Sequence, residues 1–519
     1  KRVRELHEKI FYRPLLPATA QLSAADISLT PSAASARLTA IGYRDPRAAS
    51  HHIAALTAGL SRRAAIQRHL LPVMLQWFAA GPNPDQGLLA FRRLSDVLGG
   101  AHWYLKLLRD DTAVAEALAR ALARSDYVGH EVLHVPQAVT WLAEPQGCQP
   151  RSIRALHAEA EALMARHADA QVRVEFLRSM RQRELMRAAL ADARGVRSTT
   201  AEAISDVTDV VLSWTLHAAC ADQAAQLGRS LECDPVIIAM GSAGGREMTY
   251  GSDVDAIVVY HPLGPHAHRD ATAVANRWRA LLADPLTSPP VKVDFSLRPE
   301  GNAGPVVRSI ASYRDYLAEH AAAWERHALL RARIITTPQA DNPDALRQLR
   351  AAINAARYGE VSSHQLRQIR HLKARMEKER LPRGIQPARH IKLGPGGLSD
   401  VEWAVQILQL QHAHAYRQLQ TTSTLTALDA AVTIGVLNER DATRLAQAWQ
   451  AGYRIRAAMT LALRKTGANA SILPATTRER GYVAALVGGG SVADFDEWWA
   501  RTARRARSVA TALIYGTTA

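Results

Sequence analysis

Three short runs between residues 235 and 297 constrain this chain more than anything else in it. Pro235-Val-Ile-Ile-Ala-Met240 and Asp255-Ala-Ile-Val-Val-Tyr260 are compact apolar runs, and Val291-Lys-Val-Asp-Phe-Ser-Leu297 alternates with period two. Such runs read as strands and are too short for helices. A helical stretch of about 270–283 separates the second from the third. Strand, turn, strand, helix, strand within about 65 residues describes a small α/β unit.

Nearly everything else repeats with the helical period. Ser61–Ala79 and Asp110–Ser125 are Ala/Leu/Arg segments, with breaks expected at Pro72, Pro82 and Pro84. A second helical stretch runs from Arg151 to Leu227. Within it Val174, Leu177, Leu185 and Ala188 fall near one face. Helices resume through Ile310–Ile335 and Asn342–Arg380, and a Pro/Gly-rich loop, Leu381–Gly397, precedes more helix to the end. The expected class is mainly α with one small α/β domain flanked by helical bundles. We expect a helical region over 1–145, a helical lead-in plus the α/β domain over 146–335 with its sheet core near 236–300, and a helical bundle over 340–519.

At 519 residues and 48% hydrophobic content, the chain has material for several cores. No run of 18 apolar residues appears, so no membrane span is expected. The basic opening, Lys1 to Leu16, lacks the apolar centre of a signal peptide. The first residue is not Met, and we expect a piece of a longer protein. Cys148, Cys220 and Cys233 form neither a disulfide framework nor a C-x-x-C site, so a reducing cytoplasm is the expected setting. The net charge of +16 fits anionic partners, though Arg-rich, Ala-rich chains are often basic without one.

The chemistry-bearing residues cluster at the α/β unit. Gly241-Ser242 follows the first strand, Asp253-Val254-Asp255 opens the second, and Asp294 stands alone among apolar residues in the third. Alternation along a strand puts Asp253 and Asp255 on one face, with Val254 and Ala256 on the other. Should the third strand pair beside the second, three carboxylates converge. At about 5 Å such charges repel by about 3 kcal/mol per pair at an effective dielectric of 20. Divalent cations offset this best, and Mg²⁺ favours a few carboxylate oxygens plus substrate phosphates. A glycine after a strand lets backbone N–H groups approach those phosphates, and the Ser242 hydroxyl adds a donor. The spacing is not that of a P-loop. Together these features point to metal-dependent nucleotidyl transfer.

Other motifs read more plainly. Asp494-Phe-Asp496 follows Ser491 at the opening of a helix, where residues two apart diverge. Ser399-Asp-Val-Glu402 has the spacing of a capping box opening the helix Asp400–His412, in preference to a nucleotide contact through Asp400 or Glu402. Arg367, Arg370, Lys373, Arg375, Lys378 and Arg380 form a basic helix, read first as a solvated face and second as a dock for an acidic partner.

At these residues the chain resembles a known family. Gly241-Ser-Ala-Gly-Gly-Arg-Glu-Met-Thr-Tyr-Gly-Ser-Asp-Val-Asp255 is similar to the nucleotidyltransferase signature of glutamine synthetase adenylyltransferases. So is Val293-Asp-Phe-Ser-Leu-Arg-Pro-Glu-Gly301, with the blocks Gly304–Tyr313 and Trp324–Arg333. Arg389-His-Ile-Lys-Leu-Gly-Pro-Gly-Gly-Leu-Ser-Asp-Val-Glu402 resembles the start of that family's helical domain. The strong resemblance covers about residues 170 to 415.

The resemblance implies a polymerase-beta-like catalytic domain. It implies Asp253, Asp255 and Asp294 as ligands of Mg²⁺ or Mn²⁺, and Gly241 and Ser242 on the phosphates of ATP. Asp294 would also help deprotonate a target tyrosine. Arg298 would reach the phosphates or, equally, form an ion pair with Glu300 or Glu325. Full-length members carry two catalytic units, one removing AMP from glutamine synthetase by phosphorolysis and one adding it from ATP. The segment Leu6 to Leu16 resembles the linker between units in actinobacterial members, which implies the C-terminal, adenylylating half. Implied partners are glutamine synthetase and a PII signalling protein. Competing readings are the deadenylylating half, an RNA- or tRNA-extending nucleotidyltransferase, and a catalytically inert module. Aromatic content of 6% with no RNP-like run disfavours the RNA enzyme, and three retained carboxylates disfavour the inert module.

Overall fold

A computed structural model describes residues 31–144, 146–195, 200–285, 288–336, 342–488 and 490–516; the Leu6–Leu16 segment lies outside them. The chain divides into two compact units. The first holds described residues up to 149 together with 189–195 and 461–463. It is built from helices, among them Arg62–Ala79, Pro84–Val97 and Thr112–Arg124. Pro72 does not break its segment but sits inside Arg62–Ala79. Burial of Leu71, Met74 and Phe78 on either side of it outweighs the local cost of the ring. Pro84 takes the first helical position, where its missing N–H costs nothing.

The second unit contains the rest. Its helices α1 (Ile153–Arg166), α2 (Ala170–Ala193) and α3 (Thr200–Leu227) lead into the sheet. Val174, Leu177, Leu185 and Ala188 of α2 are all buried, as their spacing predicts. The sheet has five strands: β1 (Cys233–Ala239), β2 (Val254–Pro262), β3 (Val293–Asp294), β4 (Val307–Ser309) and β5 (Arg333–Ile335). β1 is antiparallel to both β2 and β5, while β3 and β4 run parallel to β2 at different points along it. Helices α4 (Ala267–Ala283), α5 (Ile310–Glu319), α6 (Ala323–Leu329) and α7 (Pro343–Tyr358) complete the α/β part. Val236, Ile238, Ile257 and Val259 pack with Ile310 and Tyr313 of α5 and with Leu349 and Ile353 of α7. Behind the opposite face, Trp278 of α4 is fully buried and its indole N–H donates to the Leu212 carbonyl at 3.0 Å. Removing that ring would cost roughly 3–5 kcal/mol.

Two expectations change here. The third strand is only two residues long, because the chain turns at once at Phe295–Arg298. Arg333–Ile335, read as the end of a helix, is an edge strand. Its three residues are too few to break the helical pattern before them, and pairing with β1 decides the outcome.

The remaining helices are α8 (Ser363–Glu379), α9 (Leu398–His412), α10 (Thr424–Thr433), α11 (Glu439–Leu463), α12 (Thr477–Val487) and α13 (Val492–Tyr515). Their shared core includes Val401, Ile407, Leu428, Leu445 and Val509. The basic helix α8 is not simply a solvated face. Lys373 is buried and its ammonium reaches Asp400 at 2.6 Å, while Arg507 of α13 binds Asp400 and Glu377, each at 2.9 Å. Arg367, Arg375, Lys378 and Arg380 are exposed. Ser491 and Asp494 form a capping box at the start of α13, as their spacing predicts.

Candidate active site

Three elements of the sheet bring the predicted residues to one end of it. β1 stops at Ala239, and the Met240 N–H donates to the Asp255 carbonyl at 2.8 Å, which ties the following turn to the start of β2. β3 then pairs parallel with β2 so that Asp255 and Asp294 are direct register partners. Neighbouring strands lie about 4.8 Å apart and aligned residues share a face, so the two carboxylates project together. Asp253 sits one residue before β2, exposed like Asp294, whereas Asp255 is half-buried.

Electrostatics report the same grouping. The Asp255 carboxyl is pushed up to about 6, chiefly by burial. Lys392 opposes that rise, and Asp294, Asp253 and Glu402 add to it. Asp255 therefore feels both of the other predicted carboxylates. No three His, Cys, Asp or Glu side chains among the described residues are already drawn to the spacing of a single metal ion. One oxygen of Asp294 is held by the Ser296 N–H at 2.7 Å.

Gly241 has φ +53°, a left-handed conformation that disfavours any side chain, and opens a single helical turn, Gly241–Gly244. A Cβ at this position would stand 2.5 Å from Asp255 Oδ2. The turn thus passes over the carboxylate with no room to spare. Ser242 lies in the same turn and is half-buried. All-oxygen donors beside a close-passing backbone turn fit a hard divalent cation and a phosphate chain.

Arg298 takes neither predicted role. Its guanidinium donates to the carbonyls of Phe295, Asn302 and Gly304 and to the Asn302 side chain, at 3.0–3.3 Å. Glu300 pairs instead with Arg308, and Glu325 accepts from the Tyr316 hydroxyl. Arg298 stitches its own loop together.

The capping box proposed at Ser399 does not form. α9 begins two residues earlier than expected, with Gly397 at its cap and no side-chain cap bond. The preceding loop replaces it, through Ser399 N–H to the Lys392 carbonyl (2.9 Å) and Gly396 N–H to Asp400 Oδ2 (2.7 Å). Glu402 is thereby free to face the sheet.

There it meets residues that sequence reasoning did not single out. Arg331, just before β5, is buried and donates through Nε to the Gly241 carbonyl at 3.0 Å. Its other nitrogens reach Glu402 at 2.9 Å and Glu247. Glu247 in turn accepts the Thr424 N–H at 2.8 Å. Arg333 holds the far end of the turn, donating to the Ala243 and Gly244 carbonyls and pairing with Asp209 at 2.6 Å. The R-A-R spacing of 331–333 was the available signal, masked by its assignment to a helix. Lys392 keeps an exposed surface, yet protein atoms crowd its ammonium. That crowding holds its ammonium below the ordinary lysine range, against the pull of Glu402 and Asp255.

Residues 115–350 match the family model described as glutamate-ammonia ligase adenylyltransferase, and 365–514 match the one described as GlnD PII-uridylyltransferase. The chain is 45% identical to a bifunctional glutamine synthetase adenylyltransferase/adenylyl-removing enzyme of Leifsonia xyli subsp. xyli, over 99% of this chain and 51% of that protein. It is 43% identical to the protein of the same name from Streptomyces coelicolor, over 99% of this chain and 53% of that one. The match in Cutibacterium acnes is 38% identical, over 99% and 52%. The chain therefore spans about half the length of the curated relatives it matches. Along that half, it belongs to the glutamine synthetase adenylyltransferase family.

Proposed function

We propose that the chain transfers AMP from ATP to a tyrosine hydroxyl of glutamine synthetase, as the C-terminal, adenylylating half of a bifunctional enzyme. The observation that carries this reading is the register pairing of Asp255 with Asp294 under the Gly241 turn. The sheet with its helical cover is read as a polymerase-beta-like domain.

Asp253, Asp255 and Asp294 would hold Mg²⁺ or Mn²⁺, which when bound neutralises phosphate charge and polarises the α-phosphate. The backbone of Gly241 and Ser242 orients the phosphate chain, since the first N–H groups of a helical turn have no carbonyl within the turn. Arg331 and Arg333 fix that turn from behind by binding its carbonyls. Asp294, the most open of the paired carboxylates, takes the proton of the acceptor hydroxyl. The acceptor oxygen bonds to the α-phosphorus as the bond to the α,β-bridging oxygen breaks, and pyrophosphate leaves with the electron pair.

We also propose control by a PII signalling protein, which the name of the second matched family supports, and a cytoplasmic setting. No helix among the described residues is long and apolar enough to cross a membrane. The relatives' names cover both adenylylation and adenylyl removal, so the test runs both. One tube holds the chain with labelled ATP, Mg²⁺ and glutamine synthetase; the other holds orthophosphate and adenylylated glutamine synthetase. Label on the synthetase in the first supports the proposal, and ADP release in the second alone would reassign the chain to the removing half.

A further inference from the structure

Two cations at the candidate site have no partner of their own. Arg331 is fully engaged, by Gly241, Glu402 and Glu247. The side chains of Lys392 and Arg456 are not: among the described residues, neither side chain makes a hydrogen bond or an ion pair. The Arg456 Nε is buried without an acceptor, a placement that is costly unless something else supplies one. Geometry brings both elements to the site: the Lys392 carbonyl accepts the Ser399 N–H one turn before Glu402, which binds Arg331, and on α11 the Trp449 ring centroid lies 5.7 Å from the Arg331 guanidinium while the Tyr453 hydroxyl donates to the Met248 carbonyl.

Neither belongs to the sheet. Lys392 sits on a loop held rigidly by Ile391 N–H to the Ser471 carbonyl (2.7 Å), by the His390–Ile472 bridge, and by Ser399 N–H to its own carbonyl. Arg456 lies on α11. The helical part of the unit thus presents two unspent positive charges to a site whose sheet side offers three carboxylates. A rigid support and a missing acceptor are what a site for a multiply charged anion requires.

We propose that Lys392 and Arg456 bind the terminal phosphates of the nucleoside triphosphate and hold pyrophosphate as it departs. This rests on the adenylyl-transfer reading above. The carboxylates act at the α-phosphorus, where the acceptor oxygen bonds and the bridging oxygen leaves. The two cations stabilise the negative charge that the leaving pyrophosphate gains with that electron pair. They are then the residues that distinguish ATP from AMP.

The test is nucleotide binding by the full chain in Mg²⁺, using a non-hydrolysable ATP analogue and AMP as separate probes. In Lys392→Met and in Arg456→Met, affinity for the ATP analogue is expected to fall about tenfold or more, the loss of a charge-assisted contact. AMP affinity should stay within about twofold on the same principle. Lys392→Arg and Arg456→Lys keep the charge and should recover most of the loss. If both nucleotides weaken together, or the ATP analogue binds each Met variant as tightly as the parent, the proposal is overturned. Failure of the underlying reading looks different: the parent chain itself would then show no Mg²⁺-dependent binding of the ATP analogue, and Asp255→Asn would change nothing.

Discussion

Asp255 and Asp294 face each other across the parallel β2–β3 pair, the first half-buried and the second exposed. Burial raises the proton affinity of Asp255 and solvent leaves Asp294 open to an acceptor, so one pair of like side chains can divide two tasks. Substituting either by Asn keeps the shape and removes the charge. Adenylyl transfer in Asp255→Asn or Asp294→Asn is expected to fall by about 10³-fold, several kcal/mol of lost charge stabilisation. Circular dichroism should show unchanged helix content. Near-normal transfer in both variants would remove these residues from the chemistry.

Gly241 offers a sharper geometric test. Gly241→Ala adds a methyl at φ +53° and at 2.5 Å from Asp255 Oδ2. The carboxylate can swing aside, so the protein should fold with a loss of about 1–2 kcal/mol. Displacing a reacting group by about 1 Å costs on the order of 10²-fold in rate. Transfer assays and a urea melt on the same preparation should therefore show a small stability change with a large activity change.

Arg331 should behave in the opposite sense. It is buried between Glu247 and Glu402, so Arg331→Met strands two carboxylates in a crowded interior. Breaking one partner of a buried pair costs about 3–5 kcal/mol. Arg331→Met should show a lowered urea midpoint, and Arg331→Met combined with Glu247→Gln should recover part of it. Equal midpoints for the parent and the single variant would refute the bracing role.

Acid sensitivity follows from His327. Its ring is buried with its centroid 4.2 Å from that of Trp403, and Nε2 has no hydrogen-bond partner among the described residues. Burial pulls it down to about 4, with Lys373 pulling the same way and Glu402 opposing. The unfolded chain takes up this proton near pH 6.5 and the folded one does not. The associated stability is complete above 6.5 and is lost as pH falls from there toward 4, by about 1.4 kcal/mol per pH unit at most. His327→Phe stays neutral against Trp403, so its urea midpoint should vary less between pH 6.5 and 4.5 than that of the parent.

Much of the site is legible in the sequence because its residues are local to short strands. Asp255 and Asp294 stand among apolar neighbours, and alternation alone places them on a face. Gly241 is legible for a similar reason, as a turn must follow β1. Arg331, Glu247 and Glu402 escape such reading, since 84 and 71 residues separate Arg331 from its two partners in sequence. Only packing brings them together. Arg298 shows the converse: a cation placed next to a candidate site carboxylate in sequence can turn each of its three nitrogens to its own loop. The Ser399 motif fails because the Lys392 carbonyl takes the Ser399 N–H and starts α9 early. Local spacing there loses to a bond set by the preceding loop.

Anomalous scattering from a crystal of the full chain grown with Mn²⁺ and a non-hydrolysable ATP analogue tests the central claim most directly. The account predicts manganese within about 2.2 Å of oxygens from Asp255 and Asp294, with the α-phosphate bound to the same ion and the phosphate chain under the Gly241 turn. Manganese elsewhere, or nucleotide seated away from that turn, would contradict it.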